Sequence, residues 1–336
     1  MCFLPLNSIY SIDSNLGKKY NRVPKWTVDS IKLLICIVYF YAGLAKINSD
    51  WLIEAMPLSI WLPSKYDLPF IGENLMQKQW VHYLMSWGGM FYDLMIPFLL
   101  LYKRTRIIAF LLVIFFHLFT AVLFPIGMFP YIMIVGSLIF FDNKTQHKIL
   151  NIYKNLVKYI LKIFSYVQKK SNTKIYSSSP KSNKYSLIIV GIFFTLQLII
   201  PLRYVFYPGE LFWNEEGYRF SWRVMLIEKR GYSNFKVVDS VSKKYFYVQN
   251  DDFLTSYQEK QMSFQPDFIL EYAHYLGDHF TSQGHENVQV FVDSYVALNG
   301  RSSKRFIDSS VDLYSKKESF RHKSWIIPLS DDIKGF

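Results

Sequence analysis

From Ile107 to Phe124 the chain carries no Asp, Glu, Lys or Arg, and an apolar run of that length satisfies its backbone inside a hydrocarbon layer only as a helix. Four further runs read the same way, near residues 29–47, 81–101, 125–141 and 185–201, the 125–141 run being set off by Pro125 and Gly127. The chain is therefore expected to cross a bilayer about five times. Composition agrees, with 51% hydrophobic and 18% aromatic residues, above what soluble domains carry.

The charge lies between the runs and is basic. A net charge of +12 suits nucleic acid at first sight. Its placement argues otherwise: Lys18, Lys19, Arg22 and Lys25 precede the first run, Lys103, Arg104 and Arg106 sit between the second and third, and lysines crowd residues 142–184. Within that last segment Ile149, Leu150, Tyr153, Leu156, Val157, Ile160, Leu161 and Phe164 recur at helical spacing, which reads as an amphipathic surface helix followed by a serine-rich linker at Ser177–Ser182. Contact with anionic lipid accounts for the excess, and no nucleic-acid partner is expected. With the basic segments on the cytoplasmic side, five spans place Asn48–Gln79 and everything after Arg203 outside. Trp51, Trp61 and Tyr66, with prolines at 57, 63 and 69, suit an interfacial loop. Met1–Leu16 lacks the basic start and long apolar core of a signal peptide.

After residue 201 the period changes from runs to alternation. Phe220–Lys229, Phe235–Val241, Lys243–Asn250 and Val288–Leu298 read as half-buried strands, Asn299-Gly300 as a hairpin turn and Phe268–Gln283 as one helix. The expected architecture is a mainly α-helical polytopic membrane domain at 27–201, preceded by a basic loop at 1–26. A strand-rich (α+β, β-sandwich-like) extracytoplasmic domain follows at 202–336.

Lys46 stands where a lysine is costly, at the end of the first run. Tyr39, Gly43 and Lys46 are four and three residues apart, so they share a helix face, with the glycine leaving room beside the amine. Two readings are open: a lysine that snorkels to the headgroups helped by Asp50, or a buried amine that sheds its charge and acts as base or nucleophile. His117 is either a helix-packing histidine or a working group. Asp93 is a carboxylate at membrane depth that must face the bundle or water, and pairing with a lysine is open to it. Just past the fifth run, Glu215, Glu216, Arg219 and Arg223 flank Trp213 and Trp222. An arginine there could fork onto a substrate carboxylate. The same set also reads as interfacial tryptophans among solvated charges. No metal is expected, because His274, His279 and His285 lack HExxH spacing and Cys2 and Cys36 lie far apart. A phosphate-binding glycine loop and a nucleophile elbow are likewise missing.

The blocks YFYAGLAKINSDWL (Tyr39–Leu52), Met56–Pro63, Gly88–Leu101, Phe115–Tyr131, Phe212–Lys229, Val290–Leu313 and Ser319–Leu329 follow one another in an order that resembles the vitamin-K-dependent gamma-carboxylase family, whose members share a horizontally transferred transmembrane domain. The resemblance implies a membrane enzyme that oxidises vitamin K hydroquinone or a related quinol, with O2 and CO2 as co-substrates, and carboxylates glutamates of a protein or peptide. It implies Lys46, in a Gly-Leu-x-Lys motif, as general base, and His117 as the histidine of the family's Phe-His segment. Tyr39, Gly43, Asp93, Trp213, Arg219, Trp222 and Arg223 are the candidates for holding substrate. The family also carries helices with an Asn-His segment upstream of the point matching Met1, so this sequence is expected to begin inside the family pattern. Two other readings stay open. One is a catalytically silent membrane anchor whose outer domain binds a secreted protein; the other is a membrane enzyme for a different lipid-soluble substrate, since a fold does not fix a reaction.

Overall fold

The computed structural model describes residues 18–20, 23–64, 75–161, 174–176 and 180–336, in two compact units. Most of the basic N-terminal loop, the Tyr66 part of the interfacial loop (65–74) and the stretches 162–173 and 177–179 around the serine-rich linker lie outside the described residues.

The first unit joins the chain up to Tyr41 to Phe91–Ile199. Its helices are α1 (Lys25–Ala45) and α2 (Gln79–Leu101), both continuing into the second unit, then α3 (Arg106–Leu123), α4 (Phe129–Ser137), α5 (Asn143–Leu161) and α6 (Pro180–Ile199). Lys18–Tyr20 and Lys174–Tyr176 add a short parallel pairing. Pro24 precedes α1, and Thr27 Oγ1 donates to its carbonyl at 2.7 Å, closing the first turn. The basic turn between α2 and α3 has a local job: Arg106 donates from Nε to Leu100 O and from Nη2 to Leu101 O, satisfying carbonyls that the end of α2 leaves open.

Apolar spacing decides which faces meet. Ala109 and Val113 of α3 pack with Ile96 and Leu100 of α2, Met133 of α4, Phe140 and Tyr39. The outward face of α3 stays apolar as well, with Phe115 67% exposed beside Leu111 and Leu118. Water would not tolerate so continuous a surface; lipid covers it at no cost. Among the described residues, α1, α2, α3 and Lys184–Phe206 are long and apolar enough to cross a membrane.

The run at 125–141, expected as a further span, differs. Pro125 and Gly127, the latter at φ +61°, break the chain, and the helix begins only at Phe129. Together α4 and the 3₁₀ turn Leu138–Phe140 reach roughly 20 Å, against a hydrocarbon core of about 30 Å. That stretch is apolar but shorter than the span expected of it, and with four spans among the described residues in place of five the alternation that put the residues after Arg203 outside no longer follows.

The second unit joins Ala42–Met90 to Ile200–Phe336. The expected strand-rich domain is, among the described residues, a single antiparallel sheet and not the two facing sheets of a sandwich: β1 (Lys229–Asp239), β2 (Tyr245–Tyr247), β3 (Val288–Leu298) and β4 (Lys304–Arg305), in the order β2-β1-β3-β4. β1 and β3 pair from Lys229 with Leu298 to Asp239 with Val288, so Phe235 and Val237 share an inward face with Val290, Val292 and Val296. Two helices, α7 (Ser256–Met262) and α8 (Pro266–Ser282), accompany the sheet, and Ile269, Leu270, Ala273 and Leu276 make the buried stripe of α8. The Tyr272 ring meets Phe235 edge-on at 4.9 Å. Asn299 and Gly300, at φ 47° and 78°, supply the left-handed residues after β3 that a tight hairpin needs.

Phe220–Glu228, which alternates like a strand, is irregular. Phe220, Trp222 and Met225 take φ of 60°, 59° and 57°. Each left-handed residue reverses the chain locally, so extended pairing begins only at Lys229.

Candidate functional site

Lys46 follows the last residue of α1. Its N–H donates to Gly43 O at 3.1 Å and that of Ile47 to Leu44 O at 2.9 Å, which tightens the helix end; Gly43 itself is buried. Asn48 then serves two ends at once. Its Nδ2 donates to Ala45 O at 2.8 Å, while its Oδ1 accepts from Trp51 N at 2.9 Å and caps the single turn Ser49–Leu52. Residues of α2 pin that turn: Trp51 Nε1 donates to Ser86 O, Ser86 Oγ to Trp51 O, and Trp87 Nε1 to Leu52 O.

Within this frame the Lys46 side chain folds back along α1 and is only 8% exposed. Nζ donates to Ala42 O at 3.1 Å and lies 5.4 Å from the centre of the Trp51 ring. An amine so placed is shielded from bulk water. Asp50, expected to help Lys46 toward the headgroups, is fully engaged elsewhere. Arg301 donates from Nη1 to Oδ2 and from Nη2 to Oδ1, both at 2.7 Å, and Asn299 Nδ2 adds 2.8 Å to Oδ2. The Asp50 carboxylate holds the Arg301 guanidinium above its ordinary pKa. Residues 334–336 lie against 47–49, through Ser49 N to Lys334 O and Phe336 N to Ile47 O.

In the first unit, Tyr39 and His117 come together. Tyr39 Oη and His117 Nε2 share a hydrogen bond of 2.8 Å, both side chains being buried. Tyr92 stacks on Phe116 at 3.9 Å and presents its edge to Tyr39 and His117, and Phe129 closes on the imidazole at 6.0 Å. His117 thus has a partner of its own in an aromatic shell. Asp93, the next residue of α2, is buried.

The cluster Trp213–Arg223 is not a solvated rim. Trp213 is buried, donates to Ile327 O at 2.7 Å and meets Phe306 edge-on. Glu215 accepts from buried Lys229 at 2.8 Å, and Glu216 accepts from Lys323 N and pairs with His322. Burial pushes the Lys229 amine down, with Glu215 opposing it. Arg219 is paired with Asp267 at 3.3 Å and lies over Phe268. Arg223 is different: Nη1 donates to Phe336 O at 2.9 Å, but buried Nε and Nη2 have no hydrogen-bond partner among the described residues, and neither does Trp222 Nε1.

Sequence reasoning did not bring Asn48, Ser86 or Arg301 to the site, and it read Asn299 as a turn residue alone. The Asn-Ser-Asp-Trp run carries an N-cap signature that points to Asn48; Arg301 has no local signal at all. Among the described residues no group of three or more His, Cys, Asp or Glu is placed to hold a metal ion.

Two family models match. The HTTM domain covers residues 1–144, and the lumenal domain of vitamin K-dependent gamma-carboxylase covers residues 182–332. No solved structure matches the chain.

Proposed function

The chain belongs to the vitamin K-dependent gamma-carboxylase family, and from that premise we propose that it carboxylates glutamate side chains at the membrane, driven by oxidation of a reduced quinone. The observation that carries this reading is the buried Lys46 amine, folded back on α1 beside Trp51. A lipid-soluble aromatic diol fits such surroundings, because the amine meets its hydroxyl chemistry and the indole its ring. When bound, a reduced quinone supplies the electrons with which dioxygen is turned into a base strong enough for a carbon acid.

The roles of the chain's own residues follow from their settings. Lys46 Nζ takes a hydroxyl proton in a place shielded from water, where that proton is not lost to solvent. Asn48, Trp51 and Ser86 fix the turn that fixes the lysine. His117 is the second working group, oriented by Tyr39. Carbon dioxide adds at the glutamate γ carbon once its proton has left, and exclusion of water keeps that carbon from being re-protonated. The match to a lumenal domain supports an extracytoplasmic position for residues 202–336.

Membranes holding the full chain, given reduced vitamin K, labelled bicarbonate and a glutamate-rich peptide, are expected to fix label into the peptide, and Lys46→Ala to abolish it. Equal incorporation by Lys46→Ala removes the lysine from the mechanism. A second reading, a binding protein without catalysis, is favoured by an aromatic groove of about 670 Å³ lined by Phe253, Tyr257, Phe268 and Tyr275. No incorporation with the wild type, together with capture of the peptide, would select it.

A further inference from the structure

We propose that the cavity beneath Arg223 is a binding site for the phosphodiester headgroup of a membrane phospholipid. The cavity measures about 280 Å³ and is walled by Tyr204, Val205, Phe212, Ile333 and Phe336, with Arg223 on its lining. Arg223 is 6% exposed. Its guanidinium stacks between rings, 4.6 Å from the centre of Tyr204, 5.3 Å from Phe336 and 5.9 Å from Phe212.

The unused donors define the ligand. Nη1 is spent on Phe336 O, whereas Nε and Nη2 are buried and find no hydrogen-bond partner among the described residues. Those two N–H groups form one edge of a planar fork, matched to two oxygens of a single anion. A buried guanidinium edge without acceptors is costly, so an anion that fills it gains the full bidentate bond. Arg219 is placed differently, since it already has Asp267.

Charge and surface decide which anion. Glu210 lines the same cavity, its carboxylate held by Phe212 N at 3.2 Å and Ile333 N at 3.1 Å. A dianion would be repelled by that neighbour, while a singly charged diester would be tolerated. Val205, also on the lining, is 68% exposed and belongs to the turn Ile200–Phe206 that ends the apolar stretch Lys184–Phe206. Leu202 and Phe206 of that turn are exposed too. A headgroup on Arg223 would thus leave its acyl chains along an apolar surface made for lipid. A peptide carboxylate would use the fork and leave that surface bare. The inference does not depend on the carboxylase reading.

The full chain in detergent, delipidated and then titrated with dioleoylphosphatidylglycerol, is read by native mass spectrometry. Wild type is expected to retain one tightly held phospholipid, and Arg223→Gln to bind it at least about tenfold more weakly. Val205→Trp fills the cavity and leaves the guanidinium intact, so it should lose the lipid as well; Arg219→Gln should keep it. Unfolding temperatures identify any variant that has failed to fold. Equal retention by folded Arg223→Gln or Val205→Trp overturns the proposal. So does displacement of the lipid by millimolar inorganic phosphate, which assigns the fork to a free anion, or by a glutamate peptide, which assigns it to substrate.

Discussion

Arg301 grips Asp50 by two parallel hydrogen bonds of 2.7 Å, across a separation of 251 residues in the chain. The carboxylate is 1% exposed and lies four residues after Lys46, so the pair couples the turn beyond the lysine to the hairpin after β3. Removing the arginine strands a buried charge. Arg301→Ala is expected to cost roughly 3–5 kcal/mol of stability, and adding Asp50→Asn to recover part of it. Unfolding in detergent checks this. Arg305→Ala, at an exposed ion pair, should cost no more than about 1 kcal/mol. If Arg301→Ala matches it, the clamp does not hold the turn.

Tyr39→Phe tests the aromatic shell. The change keeps the ring in the core and removes the hydroxyl that meets His117 Nε2 at 2.8 Å. An imidazole nitrogen left unsatisfied in apolar surroundings costs about 1–3 kcal/mol. If His117 works in the reaction, label incorporation should also fall more than stability explains. The double variant Tyr39→Phe with His117→Phe should be less destabilised than the sum of the singles, because no polar group is then stranded. Additive losses would mean the bond contributes nothing.

Period and length made much of the fold legible. Val288–Leu298 alternates cleanly and is β3, Asn299-Gly300 is the turn expected of it, and the charge-free run at residues 107–124 is α3 within a residue at each end. The same rules misread Phe220–Glu228, since alternation carries no notice that three residues adopt left-handed φ. They also stretched the run at 125–141 across a bilayer, because apolar character was read without subtracting the residues that Pro125 and Gly127 keep out of the helix. At the candidate site, Lys46, Tyr39 and His117 stood out because charge or polarity in an apolar run is conspicuous. The Asp50–Arg301 pair and the empty edge of Arg223 left no trace in the sequence. Both depend on distant segments, and spacing along a chain says nothing about which donors end without acceptors.

Gly217 separates two kinds of glycine requirement. Its φ is +87°, and a Cβ there would sit 2.7 Å from Tyr204 Cα, a backbone atom that cannot swing aside. Gly284 has a similar φ of +93° with nothing within 4 Å. Gly284→Ala should therefore cost only the conformational part, about 1 kcal/mol, whereas Gly217→Ala adds overpacking of about 1–3 kcal/mol. Equal shifts in unfolding free energy would mean that Tyr204 gives way.

Asp239 at the end of β1 sets an acid limit on the sheet domain. Ser242 N and Val241 N both donate to its Oδ1 at 2.9 Å, and His285 Nδ1 stands 3.4 Å from Oδ2. These bonds, the Ser242 N–H foremost, pull the carboxyl down to about 2. The folded pKa lies below that of an unfolded aspartate, about 3.9, so the contribution is complete above the unfolded value and is lost as pH falls through the folded one. Asp239→Asn should lower the unfolding temperature by a constant amount from pH 7 to about pH 5, and the gap should close between roughly pH 4 and 2. A gap that persists unchanged at pH 2 would assign the effect to the turn's shape and not to its charge.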